Sequence, residues 1–208
     1  MAYQLGQFLG TFHVQGRSFP TLLRGRRKFY DLSAVVMKKM DAYATQQTNP
    51  FLKAVVQEVR EGVLRTRPPK ILPKGPIHVD IKPENELFVD GILTGVVDFG
   101  NFYIDTLMID VGKTIMWNCG KGKSIDRTLM AELLRGYEEK RKFTKQERDY
   151  LPSAILFAIY SHIWVDLYHV PLHYVPESYT VSLVKTFLPI ARTLEEEIKH
   201  GKQIIFKN

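Results

Sequence analysis

Cysteine is nearly missing from this chain. Cys119 is the only one in 208 residues, which excludes a disulfide framework and a cysteine-based zinc site. Long apolar runs are missing as well. The longest, Ala154 to Tyr160, is seven residues, far short of the roughly twenty needed to cross a bilayer. The N-terminus lacks the basic-then-apolar order of a signal peptide, so a cytoplasmic protein with no membrane partner is expected. Internal repeats and low-complexity tracts are also lacking. Acidic residues are outnumbered, 22 against 29 Lys and Arg, for a net charge of +7. That surplus raises nucleic acid as a partner, but basic residues recur along the whole chain. They cluster only at Arg24–Lys28 and, more thinly, from Arg65 to Lys74, with no recognised DNA- or RNA-binding motif. No nucleic-acid partner is expected, since positive potential serves equally well to attract a nucleotide.

What is present fits one domain, or a large piece of one, with enough apolar residues to bury a core. Leu5, Phe8, Leu9 and Phe12 follow helical spacing over residues 1–13, closed by His13 as a partly buried helix-end histidine. Gly16 to Pro20 breaks that pattern. Further amphipathic helices are expected from about Asp31 to Ala44 and from about Pro50 to Leu64. Four prolines between Arg65 and Pro76 leave that segment extended, with no room for a helix. A helix is predicted from about Thr106 to Asn118, then a loop over 121–126, then a helix capped by Asp126 and running to about Lys142. Thr144 and Glu147 have capping-box spacing for another helix, which Pro152 either kinks or follows with a new start. The last helix is predicted from about Ser178 to His200, bent at Pro189 and stopped by Gly201.

The chemistry concentrates in I-H-V-D-I-K-P-E-N-E-L-F-V-D-G-I-L-T-G-V-V-D-F-G, residues 77–100. Glu86–Val89 and Ile92–Val97 are strand-like runs joined by Asp90-Gly91, the strongest short hairpin turn. That turn makes Asn85 and Asp98 neighbours at the open ends of two strands, with Asp80 in the loop before them. Two oxygen donors side by side suit Mg²⁺, which takes few protein ligands and keeps several waters. A third carboxylate within reach can accept the proton of an attacking hydroxyl. This is the magnesium-and-base half of a phosphoryl-transfer site. Asp110 falls in an otherwise apolar stretch, and a buried carboxylate is costly unless hydrogen-bonded. Its expected partners are backbone N–H groups of the loop around Asp80.

The ordered set His78, Asp80, Lys82, Asn85, Asp98, Phe99 and Gly100 resembles the catalytic loop and metal-binding D-F-G of the protein-kinase-like superfamily. No A-P-E follows, and the helix carrying Asp110 begins within a few residues of Gly100, which leaves no space for a peptide platform. With D-V-G-K, and with the flanking stretches Leu5–Pro20 and Gly136–Pro152, the chain is similar to the aminoglycoside phosphotransferase and type II homoserine kinase group. Val79 departs from that group, where Gly is usual between the His and the Asp.

The resemblance implies an α+β, mostly α, kinase-like C-terminal lobe whose small β-hairpin carries the metal-binding residues. Within one lobe, 1–64 would be leading helices, 65–104 the catalytic loop and hairpin, and 105–208 the C-terminal helices. It implies Asp80 as general base or hydroxyl-orienting group, His78 as a brace, and Lys82 either stabilising the transferred phosphoryl or simply solvated. Asn85 and Asp98 would hold Mg²⁺ on ATP, and the acceptor would be a small-molecule hydroxyl. No Gly-rich loop or strand lysine precedes His78, so the N-terminal nucleotide lobe is expected to be absent here, supplied by a longer product or a partner chain. The alternative is a non-catalytic, kinase-like binding or scaffold module. A scaffold has no physical need for Asp80, Asn85 and Asp98 together.

Overall fold

Residues 1–16 and 32–202 are described in a computed structural model. The Arg24–Lys28 cluster, most of the break after Gly16, and the expected start of the second helix at Asp31 lie outside the described residues. The described parts are mostly helical, with small two-stranded sheets.

Seven helices carry the mass of the described fold: α1 (Ala2–Gln15), α2 (Ala34–Ala44), α3 (Pro50–Arg65), α4 (Leu107–Cys119), α5 (Arg127–Lys140), α6 (Lys145–His169) and α7 (Glu177–Lys199). Their starts follow the sequence signals. Asn49 accepts from the N–H groups of Phe51 and Leu52, with Pro50 in the first turn of α3. Asp126 caps α5 through Thr128 and Leu129. Thr144 and Glu147 form a complete capping box on α6. Each such cap stabilises its helix by about 1 kcal/mol.

The central element is α6, which packs on α2, α3, α4 and α7. Leu151, Ile155, Tyr160 and Trp164 along it are wholly buried. It runs unbroken through Pro152, so this proline neither ends one helix nor begins another. With its following turn, α6 is long and apolar enough to cross a membrane by length and composition alone, yet 89% of the qualifying window is buried inside the protein. Its apolar side chains make the core.

Helices α1 and α5 meet backbone to backbone. A Cβ at Gly6 would stand 1.9 Å from the Leu133 carbonyl oxygen, and one at Gly136 would stand 2.0 Å from that of Tyr3. Any side chain at either position would push the pair apart.

The hairpin is β2 (Glu86–Val89) paired with β3 (Ile92–Val96). Asp90 and Gly91 both take positive φ, 50° and 76°, as a type I′ turn requires. The strand stops one residue short of the expected Val97, and the register shifts by one between Leu87 and Phe88. From α1, Gln4 clamps the hairpin tip: its amide donates to the Gly91 carbonyl (2.9 Å) and accepts from the Leu93 N–H (2.8 Å).

Two short pairings add to the expected elements, and the first fits the extended chain expected there. The end of the proline-rich segment is a strand, β1 (Lys74–Ile77), antiparallel to β4 (Tyr103–Thr106). A further two-residue pair, β5 (Gly120–Lys121) with β6 (Ser124–Ile125), occupies the expected loop before Asp126. The β1–β4 ladder delivers the chain to His78 from one side and to α4 from the other.

Candidate active site

His78 follows directly from β1 and is wholly buried. Its Nε2 lies 3.0 Å from the Val97 carbonyl oxygen, and its Nδ1 accepts from the Asp80 N–H at 3.3 Å. A carbonyl only accepts and an N–H only donates, so one tautomer satisfies both contacts: neutral, with the proton on Nε2. The ring packs 4.4 Å from Phe99. His78 therefore ties its loop to the end of β3 without reaching solvent.

Val79 holds φ at 63°, a left-handed conformation that a β-branched residue adopts only under constraint. The constraint comes from α4. The Asp110 carboxylate accepts from the His78 N–H (2.7 Å, Oδ2) and the Val79 N–H (2.6 Å, Oδ1). His13 of α1 adds a third contact at 3.2 Å. Asp110 is 1% exposed, so these bonds offset the cost of burying it. The bracing role expected for Asp110 is observed. His13 is not partly but completely buried, and its partners are Asp110 and Tyr137.

In front of the loop stand Asp80, Lys82, Asn85 and Asp98. A short 3-10 turn, Pro83–Asn85, closes the loop and brings the Asn85 amide back to Asp80. Asn85 Nδ2 donates to the Asp80 carbonyl (2.8 Å) and to its Oδ2 (3.2 Å). Lys82 Nζ lies 3.0 Å from the same Oδ2. Partial burial pulls the Lys82 ammonium down, but the Asp80 hydrogen bond and charge outweigh it and the group ends above its usual range. The Asn85 carbonyl accepts from the Val97 N–H at 2.9 Å, which places Asn85 beside the residue preceding Asp98. Asp98 sits in the left-handed region at φ 64°, which aspartate tolerates. It is exposed and accepts one internal bond, from the Gly100 N–H at 3.3 Å.

Each of the two donors, an amide oxygen and a carboxylate, is of a kind that Mg²⁺ takes. The Asn85 nitrogen is committed to Asp80, which leaves the amide oxygen for a ligand, and Asp98 keeps carboxylate oxygen open to water. Among the described residues no three His, Cys, Asp or Glu side chains gather as a cage. An ion here would complete its shell with water and ligand oxygens, the usual habit of magnesium.

A second group of polar side chains adjoins the first and escaped the sequence reading. Lys113 of α4, wholly buried, has Nζ 2.5 Å from Nδ1 of His162. Asp166 lies one turn further along α6 and is 4% exposed, with no hydrogen-bond partner for its Oδ2 among the described residues. Trp117 links the groups: its ring is 5.9 Å from Lys82 Nζ, 5.8 Å from Lys113 Nζ and 5.4 Å from the His162 ring. Burial lowers Lys113 to about 7, raises Asp166 to about 7, and holds His162 well below its usual range. The sequence signal was a lysine in the apolar stretch of α4 and a His and an Asp four apart on an apolar helix. Only the packing of α4 on α6 joins them. Cys119, buried with its thiol raised to about 12, is chemically quiet.

Comparisons with known proteins agree with this geometry. Residues 1–148 match the phosphotransferase enzyme family. Over 166 residues the chain is 31% identical to a homoserine kinase of Granulibacter bethesdensis, covering 76% of this chain and 50% of that protein. Among solved structures, a choline/ethanolamine kinase family protein from Mesorhizobium loti superposes with a TM-score of 0.66 at 17% identity, over 98% of this chain and 65% of that one. An aminoglycoside phosphotransferase from Alicyclobacillus acidocaldarius does so with a TM-score of 0.62 at 14% identity, over 96% and 66%. The fold is thus that of the small-molecule kinases. The chain spans about half the length of the curated relatives it matches.

Proposed function

The chain belongs to the phosphotransferase enzyme family, and from that premise we propose that it is the catalytic lobe of an ATP- and Mg²⁺-dependent kinase for a small-molecule hydroxyl, homoserine or a related amino alcohol. One observation carries this reading. Asp80 is fixed from behind through His78 and Val79, while its carboxylate is held between Lys82 and Asn85, and the Asn85 carbonyl pairs with the residue before Asp98.

Asp80 accepts the proton of the acceptor hydroxyl as its oxygen attacks the γ-phosphorus of ATP. The bond from that phosphorus to the β,γ-bridging oxygen breaks, and ADP leaves with the bond's electrons. Lys82, 3.0 Å from the Asp80 carboxylate, lies where it can meet charge on the transferred phosphoryl group. The Asn85 amide oxygen and the Asp98 carboxylate would hold the metal. A metal held there would supply positive charge to offset that of the phosphates. His78 stays out of the chemistry, since both ring nitrogens are engaged. The remainder of the acceptor would lie beyond Lys82, against Trp117, Asp166 and Tyr179.

Positioning and charge stabilisation of the phosphates dominate this reaction. Residues 1–208 hold one metal anchor and no Gly-rich phosphate loop, so by themselves they bind ATP weakly, on the order of millimolar. They become efficient with a nucleotide lobe supplied upstream or by a second chain. The test is ADP release with homoserine and a panel of amino alcohols, for residues 1–208 alone and joined to such a lobe. Turnover is expected only with the lobe, and Asp80→Asn should remove most of it. Equal turnover by residues 1–208 alone would refute the lobe assignment, and full turnover in Asp80→Asn would refute the role of Asp80.

A further inference from the structure

Asp110 is the near end of a longer buried chain. Glu147, the capping-box residue of α6, spends Oε2 on the Thr144 N–H (2.9 Å), and its Oε1 lies 2.9 Å from Arg141 Nη2 in a buried ion pair. Arg141 Nη1 donates to the Tyr137 hydroxyl at 3.0 Å. That hydroxyl lies 2.9 Å from His13 Nδ1, and His13 Nε2 lies 3.2 Å from Asp110 Oδ2. Glu147, Tyr137 and His13 have no exposed surface, and Arg141 has 6%.

The chemistry of the ends fixes the direction of the two outer links, and a neutral His13 sets the middle one. A guanidinium only donates and a carboxylate only accepts. Arg141 therefore donates a hydrogen bond to the Tyr137 oxygen, the Tyr137 hydroxyl donates to Nδ1 of a neutral His13, and His13 donates from Nε2 to Asp110. Burial raises the Tyr137 hydroxyl well above its usual range, so it keeps the proton it donates. All the donors point one way, from a buried cation to the carboxylate that holds the loop, and aligned bonds of this kind strengthen one another. At the far end the reward is specific. Val79 is held at φ 63°, a conformation that costs a β-branched residue free energy unless its surroundings enforce it.

We propose that Tyr137 and His13 are positioning residues for Asp80: the relay from the α6 capping box through Arg141, Tyr137 and His13 aims Asp110 so that it holds Val79 left-handed and thereby sets the Asp80 backbone. The importance of Asp80 rests on the kinase reading above; the relay itself does not. Tyr137→Phe is the sharp test. It removes one oxygen and keeps the ring stacked on Phe143, 4.6 Å away.

The readout is amide hydrogen exchange and amide proton shifts at His78 and Val79 by NMR on the 208-residue chain, with amides of α7 as controls. Exchange at the two loop amides should rise about tenfold in Tyr137→Phe, with the α7 amides unchanged. In a Val79→Gly background, where the left-handed conformation carries no strain, the same substitution should change exchange less than about twofold. Unchanged loop amides in a folded Tyr137→Phe protein would overturn the proposal. So would an equal response in the Val79→Gly background. Should the variant not fold, the ¹⁵N shifts of His13 in the unaltered protein decide: protonation at Nε2 supports the relay, and protonation at Nδ1 refutes it. None of these readouts needs turnover, so failure here is separable from failure of the kinase assignment.

Discussion

Behind the loop from His78 to Asn85, the Asp110 carboxylate meets two backbone N–H groups and a histidine, all buried. In front of it, the Asp98 carboxylate is exposed and, among the described residues, takes one long bond, from the Gly100 N–H. Both are aspartates of one family motif, about a dozen residues apart, yet their surroundings are opposite. The rear carboxylate has its bonds made by the fold and leaves little for anything else. The front one keeps its capacity for a ligand that the fold does not supply. Stability should therefore reside behind the loop and chemistry in front of it.

Four experiments test that division, the largest effect first. Asp80→Asn, in a protein with its nucleotide lobe, should lower kcat about a thousandfold, on the order of 4 kcal/mol. Its urea midpoint should stay close to that of the parent. A comparable loss of stability would break the division. Asp110→Ala should do the reverse in the 208-residue chain. Removing the acceptor of three buried donors should cost about 3 kcal/mol, read by urea unfolding. A loss under about 1 kcal/mol would mean that the rear bonds are not structural.

The Lys113–His162–Asp166 cluster gives a smaller, pH-dependent effect. Asp166, raised by burial from 3.8 to about 7, binds more protons folded than unfolded between those values, so stability falls as pH rises through that window. Lys113, lowered by burial from 10.5 to about 7, binds fewer protons folded than unfolded above 7, so stability recovers as pH rises toward 10.5. The cluster should thus impose a stability minimum near neutrality. Urea midpoints across that range should show Asp166→Asn flattening the acid limb and Lys113→Met the alkaline limb. The smallest effect belongs to the metal. Ten-millimolar Mg²⁺ should stabilise the chain by about 1 kcal/mol if its affinity is near millimolar. Asp98→Asn should abolish the melting shift without lowering the ion-free melting temperature. A shift that survives would place the ion elsewhere.

The sequence was most legible where the signal was local. Asp126 and the Thr144–Glu147 box start their helices as expected, and Asp90-Gly91 turns its hairpin. Asp110 was legible for a different reason: a carboxylate among apolar residues demands partners, and the family resemblance implies a bracing residue at this place. The β1–β4 ladder was hidden because each strand is four residues long and one contains Pro76. Such a strand has no periodicity to detect, and its pairing is decided by a partner some thirty residues away. The choice between a continuing helix and a new start at Pro152 was open in the sequence, because tertiary burial decides whether α6 survives the missing hydrogen bond. The relay from Glu147 to His13 and the Lys113 cluster join residues on different helices. Each depends on a packing geometry that no local pattern encodes.

The close seat of Gly6 and Gly136 has a consequence in time. His13 and Tyr137, which that seat brings together, are 124 residues apart in the chain. A ribosome adding roughly 5–20 residues per second needs on the order of ten seconds to span such a distance. For that interval α1 exists without its partner, its apolar face uncovered, and the loop carrying Asp80 emerges before the helix whose tyrosine completes the chain behind it. Nascent chains stalled shortly before α5 should therefore expose α1 to proteases and chaperones, and those stalled well after it should not.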